Sequence, residues 1–163
     1  MGKIKKAFTI VLRLLALAAT VVAVVIMVDT HDSAKVLNLT FTAKYSNTPA
    51  FKYFVIAEAI AGVYTVIVIF LSSKSIFGHS VIIMDMVTTV LLASSISAAL
   101  AIAQVGKKGN SHAGWLPVCG QVPHFCDQVT ISLVAGFAAA VIYFLLLLYS
   151  LHAVLSPIFT VNH

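Results

Sequence analysis

The stretch Val129–Leu155 reads VTISLVAGFAAAVIYFLLLLYSLHAVL and contains no Asp, Glu, Lys or Arg; His152 stands near its end. A helix needs about 20 apolar residues to cross a bilayer core of about 30 Å. Backbone polar groups cannot go unpaired in hydrocarbon, so such a run must close its hydrogen bonds internally, as a helix. Three further runs satisfy the same requirement. Phe8–Val28 carries one charge, Arg13; Phe51–Leu71 has Lys52 at its edge and Glu58 inside; Val81–Gln104 has only Asp85. No ten-residue segments of alternating polarity occur, which disfavours a membrane barrel. The expected fold is an all-α membrane protein, a four-transmembrane-helix bundle with two extracellular loops. Its membrane domain covers 8–155, with spans 8–28, 51–71, 81–104 and 129–155 and cytosolic ends at 1–7 and 156–163.

Composition agrees. Of 163 residues 61% are apolar and 9% charged, with a mean hydropathy of +1.06, where a soluble domain carries about 25% charged residues. The net charge of +5 comes from lysines scattered among loops. That excludes the basic stripe of a nucleic-acid binder and points to the membrane surface instead. Lys3, Lys5 and Lys6 precede the first run, and Ala16-Leu17-Ala18 resembles a signal-peptidase site. The apolar stretch continues to Val28, past a normal h-region, so it reads as an uncleaved signal anchor. Lys6 occupies the position where myristoylation needs Ser or Thr.

Four spans put both termini on one side and the 29–50 and 105–128 loops on the other. Lysine counts do not separate the sides: Lys3, Lys5, Lys6 and Lys74 face Lys35, Lys44, Lys107 and Lys108. The lysines before the first helix favour cytosolic termini. The sequon Asn38-Leu39-Thr40 is a glycosylation candidate usable only in the lumen. Cys119 and Cys126 are the chain's two cysteines, both in the loop on the sequon's side. A disulfide suits an oxidising exterior and would contribute roughly 2–3 kcal/mol. A zinc site would have to recruit His112 and His124, whose spacing fits no standard pattern. Trp115, among the Gly and Pro residues of the same loop, reads either as an interfacial anchor or as an outer-loop contact for a partner.

Charges inside the membrane are expensive and informative. Arg13 and Asp85 lie at nearly equal depth on helices running the same way, which makes an intramembrane ion pair the expected arrangement. The alternative is an Arg13 that snorkels to the headgroups. Glu58 lies toward the other leaflet, where it could share a hydrogen bond with Gln104, stand protonated, or line a pathway. Small residues at i, i+4 spacing mark close helix approach. Ser95, Ala99 and Ala103 form one row on the third span, and Ala93, Ser97 and Ala101 a second. Gly136 with Ala140, and Ala57 with Ala61, repeat the pattern. Rows on more than one face lean toward oligomers. No phosphate loop, zinc-protease motif, nucleophile elbow or haem-spaced histidines occur, so no catalytic residue, metal site or cofactor is expected, bound lipid or sterol excepted.

The chain resembles the plant Casparian strip membrane domain protein-like family, related to MARVEL-type tetraspan proteins. The resemblance runs from Arg13 to Leu155. It is carried by Arg13, by Met84-Asp85-Met86-Val87 followed by Leu91-Leu92-Ala93, and by Gly106-Lys107-Lys108-Gly109-Asn110. Trp115, Cys119, Phe125, Cys126 and Leu133-Val134-Ala135-Gly136-Phe137 continue it. The resemblance implies a multi-pass plasma-membrane protein with cytosolic termini that forms oligomeric scaffolds. Founding members build a membrane diffusion barrier and direct lignin deposition in the endodermal wall. They carry a Glu-Ser-Leu-Pro-Phe-Phe-like stretch in the first outer loop, where this chain has Thr42-Ala43-Lys44-Tyr45-Ser46-Asn47-Thr48-Pro49-Ala50-Phe51. That departure implies a member with another tissue role.

The functional expectation is a self-associating scaffold, not an enzyme, that organises a plasma-membrane subdomain. Its expected partners are copies of itself, related family members, membrane lipids and, through the outer loops, cell-wall-modifying enzymes. The alternative is a subunit of a small-solute or ion channel or transporter, with Glu58 or an oligomer axis lining the path.

Overall fold

The computed structural model describes residues 2–36, 39–71 and 78–161. Asn38 lies outside the described residues. Four helices dominate: α1 (Gly2–Asp29), α2 (Pro49–Leu71), α3 (Gly78–Lys108) and α4 (Pro123–Val161). All four are long and apolar enough to cross a membrane. Each helix packs most extensively against two neighbours, so that α1, α2, α3 and α4 close a ring in chain order. The contacts fix the directions. Tyr64 meets Val81 and Tyr53 meets Ser94, so α2 and α3 are antiparallel. Ser132 meets Ala23 and Phe8 stacks on Tyr149, so α1 and α4 are antiparallel too.

The 29–50 loop contains a hairpin. Strand β1 (His31–Val36) pairs antiparallel with β2 (Leu39–Lys44), with His31 opposite Lys44 and Val36 opposite Leu39. The run Thr40-Phe41-Thr42 has the β-branched and aromatic character that favours a strand. A short 3-10 turn (Tyr45–Asn47) then leads into Pro49, which opens α2 with a φ already suited to a helix.

All four helices outrun the spans read from hydropathy, and the extensions of α3 and α4 shape the second outer loop. Helix α3 ends at Lys108 rather than Gln104, and α4 begins at Pro123 rather than Val129. Hydropathy marks where lipid stops, whereas a helix stops where its backbone is capped. Gly109 ends α3 with φ +69, its amide bonded to the Val105 carbonyl. A Cβ on Gly109 would lie 2.6 Å from the Trp115 carbonyl oxygen, so this turn requires glycine. Pro123 opens α4 as Pro49 opens α2.

Candidate functional site

At the end of the bundle that carries the termini, three helices converge on one carboxylate. Arg13 on α1 donates from Nη2 to Asp85 Oδ2 on α3 at 2.8 Å, with the two side chains 4% and 0% exposed. Tyr64 on α2 donates its hydroxyl to Asp85 Oδ1 at 2.7 Å. The Arg13 guanidinium also stands 5.9 Å from the centroid of the Tyr64 ring, within cation–π range. The carboxylate thus uses one oxygen for each partner. Arg13 Nη1 is left buried without an acceptor.

The sequence reading named Arg13 and Asp85 but not Tyr64. Its signal was depth. Tyr64 stands seven residues before the end of α2 and Asp85 seven after the start of α3. At 1.5 Å per residue on antiparallel neighbours, both lie about 10 Å from that end of the bundle.

Toward the middle, Tyr143 on α4 donates to the Ala61 carbonyl at 2.7 Å and is hydrogen-bonded to Thr65. Further along, the Ser132 hydroxyl donates to the Ala23 carbonyl at 2.6 Å, tying α4 to α1. Buried hydroxyls therefore join helices at successive depths. Each bond here is made between groups that lipid could not have satisfied.

Glu58 is the exception. It is 0% exposed and both carboxyl oxygens lack a hydrogen-bond partner. Gln104 does not supply one. Its side chain is exposed and borders a groove between α3 and α4, whereas Glu58 faces inward against Gly136. A Cβ at Gly136 would meet Glu58 Oε1 and Phe54 Cε2, each at 2.6 Å. Glu58 and Phe54 thus occupy the space that the missing Gly136 side chain leaves, and α2 and α4 touch there without clearance.

The opposite end is pinned by covalent chemistry. Cys119 and Cys126 form a disulfide with Cα atoms 5.7 Å apart. Cys126 belongs to the first turn of α4 rather than to the loop, so the bridge ties the loop to a helix. The amides of Val118 and Cys119 donate to the Gly106 carbonyl, holding the same loop onto α3. Phe125 is buried and meets Phe51 of α2 edge-on at 6.2 Å. Both of the chain's thiols stand in this bridge. Among the described residues no cluster of three His, Cys, Asp or Glu is arranged to hold a metal. Trp115 exchanges two backbone bonds with Asn110, whose side chain accepts from the amides of His112 and Ala113. Trp115 is 57% exposed, beside Leu116 at 82%.

The two small-residue rows of α3 face opposite ways. Ser95 and Ala99 are fully buried in the bundle, with Ala103 half-buried in line, while Ala93, Ser97 and Ala101 are exposed. Gly136 and Ala57 are buried within the bundle, as is Ala61.

A model of the Casparian strip membrane protein domain matches residues 2–142. This chain belongs to that family. It is 78% identical over 162 residues to CASP-like protein 1C3 of Populus trichocarpa, covering 99% of each chain. To CASP-like protein 1C2 of Ricinus communis it is 76% identical over 160 residues, 98% of each. CASP-like protein 1C1 of Arabidopsis thaliana is 55% identical over 148 residues, 91% of this chain and 90% of that relative. No solved structure matches. Within this family member, the arginine–aspartate–tyrosine cluster and the disulfide-pinned loop stand at opposite ends of one bundle.

Proposed function

We propose that this family member is a self-associating scaffold that organises a subdomain of the plasma membrane. Its termini face the cytosol, and its hairpin and disulfide loop face the wall. The observation that carries this reading is the exposed row Ala93, Ser97 and Ala101 on α3. The bundle's own packing has consumed the buried row, so the exposed one is left for another helix. Small residues let two backbones approach closely enough for dispersion and Cα–H contacts to offset the loss of lipid contacts. Ser97 donates to the Ala93 carbonyl at 2.7 Å, which keeps this face without an unmet donor.

The orientation rests on the lysines before α1 and on a disulfide, which persists in an oxidising compartment. Copies of the chain and related family members are the partners of the α3 face. The hairpin and the exposed Trp115 are the surfaces open to cell-wall-modifying enzymes. The test is the mass of the assembly in native nanodiscs, by light scattering or single-particle imaging. Wild type should form a discrete oligomer, and Ser97→Leu with Ala101→Leu should release monomers of unchanged thermal stability. A wild-type monomer would refute self-association. An ion leak in liposomes, abolished by Glu58→Ala, would favour a channel instead.

A further inference from the structure

At the hairpin end of the bundle, α2, α3, α4 and β2 surround a cavity of about 720 Å³. That volume falls in the range of small-molecule sites, about 300–1,000 Å³. Its chemistry is layered by depth. Ala103 and Val129 line it and stand at the ends of the third and fourth apolar runs, so this level is the edge of the hydrocarbon. Phe51, Val122 and Phe125 add buried apolar wall. Lys107 stands four residues beyond Ala103 on α3, about 6 Å further out along the helix axis. Lys44 and Asp127 line the cavity with it, and all three are exposed. Among the described residues the one ion pair is Arg13–Asp85, so Asp127 neutralises neither lysine.

We infer that this cavity binds a long-chain fatty acid, its carboxylate at Lys44 and Lys107 and its chain against the apolar walls. Two ammonium groups against one carboxylate leave a surplus of one positive charge, which a single bound carboxylate neutralises. A cationic amphiphile meets that surplus with the wrong sign, and an uncharged alcohol of the same length leaves it unanswered. The number of chains follows from volume. A methylene takes up about as much room as a water molecule, roughly 30 Å³, so a sixteen-carbon chain needs about 500 Å³ and two would overfill the cavity. Burial of the chain supplies the affinity, and the lysines supply the choice of headgroup. They act on a ligand held inside the cavity, so the selectivity does not depend on the charge of the surrounding leaflet. A short soluble carboxylate lacks the chain that the walls would cover. The disulfide bears on this site directly, because Cys119 and Cys126 both line the cavity. The site is independent of self-association, since Ala93, Ser97 and Ala101 lie outside its lining.

The test uses the full chain in phosphatidylcholine nanodiscs with a palmitic acid that carries a photoreactive diazirine in its chain. The pH is 8, where a carboxyl group is ionised, and labelled residues are mapped by peptide mass spectrometry. Labelling should concentrate on the peptides that hold Phe51 and Phe125–Val129. Unlabelled palmitate should compete better than hexadecanol by on the order of tenfold, the worth of two exposed ion pairs. Lys44→Gln with Lys107→Gln should bring the two competitors level while hexadecanol is unchanged. Lys52→Gln, an exposed lysine on α2 outside the lining, should leave the preference intact. Ala103→Phe fills the inner end of the cavity at unchanged charge and should lower labelling severalfold. Thermal melts show which variants are folded, and the wild-type competition decides the matter even where one is not. Palmitate competing no better than hexadecanol would overturn the site. So would labelling spread evenly over the lipid-facing helix surfaces, or an equal loss in Lys52→Gln, which would mean diffuse surface attraction. Hexadecylphosphocholine or hexadecyltrimethylammonium competing as well as palmitate would overturn it too.

Discussion

Asp85 is the group on which three helices depend, and its replacement separates a desolvated ion pair from an arginine that reaches water. At 2.8 Å the pair attracts by about 6 kcal/mol at an effective dielectric near 20, most of it offset by desolvation of both ions. The asymmetry appears when one partner goes. Asp85→Asn leaves Arg13, 3% exposed, without its counter-ion and should destabilise by about 3–5 kcal/mol. Removing both charges should cost far less. Arg13→Leu with Asp85→Leu takes out the whole charged pair, and Tyr64 keeps a second acceptor in the Val81 carbonyl at 3.1 Å. That double variant should fall within about 2 kcal/mol of wild type on either side. The assay is reversible unfolding in mixed micelles titrated with denaturing detergent, followed by far-UV circular dichroism. A loss under about 1 kcal/mol in Asp85→Asn would refute the reasoning, because it would mean that Arg13 is hydrated. A double variant as unstable as the single would also refute it, because the pair would then be supplying net stability.

Three further outcomes follow from the geometry. Gly136→Ala places a methyl group 2.6 Å from Glu58 Oε1 and the Phe54 ring and should cost about 1–3 kcal/mol, recovered in part by Phe54→Leu in the same unfolding assay. Glu58→Met removes a fully buried carboxyl with no partner and should stabilise the bundle by about 1–2 kcal/mol; a loss instead would show that the carboxyl is engaged. Cys119→Ser with Cys126→Ser opens the bridge of sequence separation 7 and should cost about 2–3 kcal/mol. It should also shift the emission of Trp115, the chain's one tryptophan.

The amino-acid sequence alone determined the four membrane helices. Length and lack of charge suffice there, because hydrocarbon admits no other way to pair the backbone over such a distance. It also marked Arg13, Asp85, Glu58 and the two cysteines, since charge and thiol are conspicuous against an apolar chain. What it did not carry is which side of each helix faces in. In a soluble helix a polar face marks the outside. Here lipid is as apolar as the core, so Ser95 and Ala93 look alike in the sequence although one is buried and the other exposed. Tertiary structure also decided the third member of the Arg13–Asp85 cluster, because Tyr64 is ordinary until antiparallel packing brings it to Asp85. The pairing of Glu58 with Gly136 rather than Gln104 was settled the same way, by helix rotation. The hairpin and the true start of α4 lay beyond a hydropathy reading. Strand pairing and a proline-opened helix depend on backbone hydrogen bonds, which continue into water where hydropathy falls silent.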